Sequence, residues 1–190
     1  MNRNSSKFGV IASEAKQSRF SKTRLLRRSA PRNDTELHHH LRGPFVLLAS
    51  TFHEDMTNAL TQGALDALTR QGISLDQIRI FRVPGAFELP GAAAAVARSL
   101  RPCAIIAVGC VVKGETPQYL ALGQAVLHGL TQVSVMEGLP VTAGVIIADS
   151  LAQARARAGG KVGNRGREAA DAALQMVALT LQFSNRTSRA

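Results

Sequence analysis

From Phe45 onward the chain switches repeatedly between short apolar runs and stretches of helical spacing, and each switch marks an element. Phe45–Ser50 is a short apolar run that predicts a strand. Over residues 53–71, Met56, Leu60, Ala64, Ala67 and Leu68 share one side of a helix. Residues 77–83 set Ile78, Ile80 and Phe81 among polar residues, as a partly exposed strand does. An Ala-rich helix follows over 87–100, with Pro90 in its first turn, where a missing N–H does no harm. Residues 103–112 are the most apolar run and predict the central strand. A helix over 117–138, a strand over 141–148 and helices over 150–157 and 165–182 complete the series. Strands alternating with helices imply an α/β domain: a parallel sheet, right-handed crossovers and helices on both faces. Ligands of such sheets bind at the carboxyl ends of the strands, near a switch point.

Before Pro44 the periodicity is absent. Residues 1–42 are rich in Ser, Arg and Asn and predict a disordered basic extension, leaving 43–190 as one domain. Three origins compete for it. Val10–Asp34 resembles translated intergenic repeats that follow a start codon set too far upstream. Arg and Ser richness with few acids also fits an organelle transit peptide, and a basic arm on an assembly is the third reading. The first is preferred, although the next Met is Met56, and a start there would delete the first strand.

The same extension explains the charge. It holds ten Lys and Arg against three acids, so +7 of the formal +10 lies there and +3 in the remaining 148 residues. A nucleic-acid groove needs its cations within the folded part beside stacking aromatics, and only 4% of residues are aromatic. No nucleic-acid partner is expected. No window reaches the roughly 20 apolar residues of a membrane span. His38, His39 and His40 have no fixed geometry and are treated as incidental. Cys103 and Cys110 are the only cysteines. On one strand, seven apart, they would face opposite ways and stay unbridged, which suggests a reducing compartment, the cytoplasm.

Several strand ends carry residues suited to binding. Phe52 follows the first strand and could stack on a flat heterocycle, although an aromatic there more often closes the core edge. After the second strand, Pro84-Gly85 predicts a tight turn and Glu88 opens the next helix as an anion at its start. After the third, Lys113-Gly114-Glu115-Thr116-Pro117 reads as a sharp turn at Gly114, a cap at Thr116 and a first helical position at Pro117. Backbone N–H groups at such a start suit a phosphate. Neither a P-loop nor a dinucleotide fingerprint is present, so ATP and NAD are poorly supported. Arg155–Gly166 ends a short helix in a Gly-rich basic turn; solvated charges are its plain reading, and two Arg and a Lys beside a phosphate the sharper one.

Taken together, Val83–Pro90, Gly109–Pro117 and Arg157–Gly166 resemble the lumazine synthase family, in order and in register, within a likeness running from Pro44 to Phe183. The resemblance implies a three-layer αβα sandwich with a four-stranded parallel, flavodoxin-like sheet. It implies condensation of 5-amino-6-(D-ribitylamino)uracil with 3,4-dihydroxy-2-butanone 4-phosphate, giving 6,7-dimethyl-8-ribityllumazine, phosphate and water. No cofactor or metal is implied. By position, Phe52 would stack on the pyrimidine, while Ala86, Phe87 and Glu88 would hold the ribityl chain. Cys110, Val111 and Val112 would touch the same substrate, and Glu115, Thr116, Arg157 and Lys161 would hold the phosphate. The family assembles as pentamers, and in some members as 60-subunit shells, with sites shared between subunits. A short turn at Gly159–Gly166 resembles the shell-forming members.

Two positions depart from the family pattern. Gln118 stands where the family has its proton-transferring histidine, and an amide cannot titrate near neutral pH. Ala143 stands where an aromatic commonly walls the neighbouring subunit's site. His53 and His128 are nearest in sequence, and no motif assigns either to the missing role. A non-catalytic pyrimidine- or flavin-binding homologue, or a shell protein, therefore stands as the alternative to the enzyme.

Overall fold

A computed structural model describes residues 43–187. The expectations for residues 1–42, including the three adjacent histidines, lie outside the described residues. Strands β1 (Phe45–Ser50), β2 (Ile78–Val83), β3 (Ala104–Val112) and β4 (Val141–Ala148) form one parallel sheet in the order β2-β1-β3-β4. The connections are helices α1 (Glu54–Arg70), α2 (Leu89–Leu100) and α3 (Gln118–Glu137). After β4 come α4 (Leu151–Arg157) and the long α5 (Arg165–Thr187), which runs past the predicted end at 182. This is the doubly wound, flavodoxin-like order, with its switch point between β1 and β3.

Side-chain alternation along the strands builds the two outer layers. Phe45, Leu47 and Ala49 of β1 and Ala104, Ile106 and Val108 of β3 pack on α1 and α5. Their neighbours Val46, Leu48, Ile105 and Ala107 pack on α2 and α3 on the other face. Every residue of β1 is buried, as a strand covered on both faces requires. All five residues predicted for the inner side of α1 are buried. The edge strand β2 is more open than its pattern suggests: only Ile78 and Val83 are buried. Cys103 corrects one expectation. It stands one residue before β3, outside the strand alternation, and packs against the same layer as Cys110; both thiols are free.

The turn after α4 is more ordered than a Gly-rich loop. Ala158–Gly160 (β5) and Gly163–Asn164 (β6) pair as a small antiparallel hairpin with a bulge, using positive φ at Gly159 and Gly163. From there Asn164 links two helices. Its Nδ2 donates to the Ala59 carbonyl at 2.9 Å, and its Oδ1 accepts from the Arg167 N–H at 3.1 Å, capping α5. Next to this link α5 meets α1 backbone to backbone. A Cβ at Gly166 would lie 2.0 Å from the Leu60 carbonyl oxygen, so only glycine allows the approach. Gly91, on the open side of α2, has nothing within 4 Å of a built Cβ.

Gly166→Ala must therefore push the two helices apart, at a cost of about 2 kcal/mol or more. Gly91→Ala should raise stability by up to about 1 kcal/mol through helix propensity. Urea unfolding midpoints moving in those opposite directions are the expected result, and equal midpoints would contradict the close approach.

Candidate active site

The ends of β1 and β2 are tied together beyond the sheet. The Thr51 N–H donates to the Val83 carbonyl at 2.8 Å and the Phe52 N–H to the Pro84 carbonyl at 3.2 Å. The Thr51 hydroxyl also donates to the Pro84 carbonyl, at 3.0 Å. These bonds carry the parallel ladder one step past the strands and set Phe52 beside the turn Gly85–Glu88. That turn is a single 3₁₀ turn over Ala86–Glu88, which leads directly into α2. Gly85 is extended, with φ −141° and ψ 177°, so the Pro84-Gly85 step is a bend and not the tight turn predicted. The Glu88 side chain makes no capping hydrogen bond. One of its oxygens would lie 2.9 Å from a Cβ at Gly85, so it folds back over the turn.

Beyond β3, the Lys113 N–H donates to the Ala148 carbonyl at 2.9 Å, which holds this exit against β4. Helix α3 starts one residue later than predicted, at Gln118. Pro117, with φ −73° and ψ 6°, is the cap position, and no side chain caps the start. Gly114 does not take a positive φ, so the turn it was expected to permit needs no left-handed residue.

These three exits enclose one cleft of about 410 Å³ at the carboxyl edge of the sheet, beside the switch point. Of the residues expected in the site, Phe52, Ala86, Phe87, Glu88, Cys110, Val111, Val112, Thr116 and Gln118 line it. Phe52 and Phe87 are 65% and 62% exposed, so neither closes the core edge; both rings are open to a ligand. Cys110 sits at the buried floor with its sulfur 3.7 Å from that of Met56. Burial, and secondarily the Asp55 carboxylate, push its thiol up to about 11. Tyr119 joins the wall and donates its hydroxyl to Asp149 at 2.5 Å, which raises the phenol above its ordinary value.

A family model described as 6,7-dimethyl-8-ribityllumazine synthase matches residues 43–180. The chain belongs to that family. Lumazine synthases serve riboflavin biosynthesis as transferases acting on small molecules, and the three-layer α/β fold seen here agrees with membership. No helix among the described residues is long and apolar enough to cross a membrane.

Four positions carried over from the family do not line the cleft. Glu115 lies exposed between two lining residues, Gly114 and Thr116. Ala143 lies near the start of β4, five residues and about 17 Å of strand from Ala148. Arg157 and Lys161 are exposed around the β5–β6 hairpin. No Lys or Arg is among the lining residues, so this chain's own cleft has no cationic side chain in its wall. Conversely, His53 lines it without having been assigned a role. His53 is the cap of α1 in left-handed geometry, φ 57° and ψ 55°, which no spacing rule flags.

The thiol of Cys103, pushed up to about 12 chiefly by burial, and that of Cys110 stay protonated at pH 8. Because the thiolate is the nucleophile, both should resist iodoacetamide in the folded protein and react readily in denaturant, as mass spectrometry would register. Labelling of the native protein at the rate of a free thiol would contradict this burial.

Proposed function

We propose that the chain condenses 5-amino-6-(D-ribitylamino)uracil with 3,4-dihydroxy-2-butanone 4-phosphate to 6,7-dimethyl-8-ribityllumazine, releasing phosphate and water. Two exposed phenyl rings, a free carboxylate and an uncapped helix start sharing one cleft carry that reading. Phe52 stacks on the pyrimidine, as an aromatic face suits a flat heterocycle. Glu88 accepts from ribityl hydroxyls, with Ala86 and Phe87 beside it, and Cys110, Val111 and Val112 form the apolar floor. The N–H groups at the start of α3, near Glu115 and Thr116, receive the phosphate. The reaction rests mainly on holding two reactants together, for which a preformed cleft is the main requirement.

A phosphate dianion also wants a guanidinium or ammonium group, and the cleft of a single chain has none in its wall. We read Arg157, Lys161 and Ala143 as parts of a neighbouring copy's site. This supports a homo-oligomer, pentamer or 60-subunit shell, with sites completed between subunits.

The test is lumazine formation followed by absorbance, with the spontaneous reaction subtracted. A saturable rate above background is expected. Arg157→Ala should raise KM for the phosphate substrate about tenfold, the loss of one charge-assisted contact, with a smaller effect on kcat. Assembled protein that binds a pyrimidine analogue but gives no rate above background would replace the enzyme with a non-catalytic binding or shell homologue.

A further inference from the structure

We propose that His53 carries the proton transfer that Gln118 cannot, so that the reaction's acid–base group stands at the exit of β1 instead of the start of α3. This rests on the synthase reading above. His53 and Gln118 line the same cleft from opposite chain segments, whereas His128 is exposed on α3, ten residues beyond Gln118, and does not line it.

Three observations single out His53. First, its ring stands edge-on to Phe52, centroids 4.8 Å apart and planes at 75°. A pyrimidine stacked on Phe52 would lie parallel to that phenyl, and its two reacting amines lie in its own plane at its edge. A ring set across the Phe52 plane is placed to reach such an edge. Second, its backbone is held in the left-handed region, at φ 57° and ψ 55°, where non-glycine residues are uncommon. The Met56 and Thr57 N–H groups, each at 3.1 Å, and the Thr57 hydroxyl at 3.3 Å all bond to the His53 carbonyl and fix it there. Strain held in this way is a feature of functional sites. Third, the imidazole makes no capping hydrogen bond at the helix it opens.

The other ionisable groups of the cleft suit the task less. Cys110 is held as a thiol by burial, and the Tyr119 hydroxyl is committed to Asp149. Glu88 remains as the competing base, and Glu54 and Asp55 flank His53 on α1 without lining the cleft. The step assigned to His53 is loss of phosphate from the imine of the four-carbon unit. Its Nε2 or Nδ1 takes the proton from the carbon next to the imine. The C–H pair becomes a C=C bond, and the C–O bond to phosphate breaks with its electrons leaving on phosphate. The imidazolium then returns the proton to the terminal carbon while the enol hydroxyl gives its own proton to the departed phosphate, so the enol becomes a ketone and His53 ends as it began. Attack of the second amine on that ketone and loss of water close the ring.

The experiment uses the full chain and compares wild type, His53→Asn, Glu88→Gln and the double variant His53→Asn/Gln118→His in steady-state lumazine formation across pH 5.5–8.5. Asparagine accepts left-handed backbone, so the corner at 53 is retained. His53→Asn should lower kcat by at least about tenfold, the modest end of general acid–base effects, with KM changing little. It should also change the pH dependence of kcat. Adding Gln118→His should restore both. An active wild type whose kcat and profile survive His53→Asn overturns the assignment. So does a profile that follows Glu88→Gln, or a kcat loss that Gln118→His does not rescue. A wild type without rate above background overturns the synthase reading itself, and this proposal with it.

Discussion

Parallel pairing around the fully buried strand β1 sets where the neighbouring strands of this sheet end. Each strand of this sheet enters from the same side, so β1, β2 and β3 all deliver their exits to one rim. The ladder hydrogen bonds do not stop with the strands: Thr51, Phe52 and Lys113 extend them into the loops. Cleft residues from three separated segments thereby inherit the register of the sheet. Shape at the rim follows from pairing in the core, and that pairing follows from runs as plain as Phe45–Ser50.

The cleft is chemically one-sided. Its walls offer rings, methyl groups, a carboxylate and amide groups, while the chain's candidate phosphate cations stand around the β5–β6 hairpin. Such a division makes sense for a site read as shared between copies. One subunit would provide the surface for the heterocycle and its hydroxyls, and the next would provide charge. It also explains why the +3 of the globular part need not produce a basic groove on any one chain.

Much of this was legible in the sequence because the physics was local. Strand and helix periods located every element of the main sheet, and three motifs in register named the family before any geometry. What escaped depended on contacts between distant segments. The exposure of Phe52 is set by how the Thr51–Phe52 step is tied to β2, which no pattern in residues 50–53 encodes. His53 went unassigned because its importance comes from a left-handed corner and from facing a cleft whose far wall lies over sixty residues away. The hairpin at Ala158–Asn164 was hidden by glycines, which fit a loop equally well. Cys103 was misplaced by a single residue at the strand boundary, enough to reverse the face it was expected to take.

The close approach of Gly166 to Leu60 has a bearing on how such proteins can diverge. Leu60 lies seven residues beyond His53 on α1, about 10 Å along a rigid helix. The hairpin holding Lys161 leads straight into Gly166. One glycine therefore indexes two working parts against each other: the corner that opens the cleft and the loop that carries charge outward. Drift at this position would be selected against as a loss of alignment between those two parts of the fold, although it does not line the cleft.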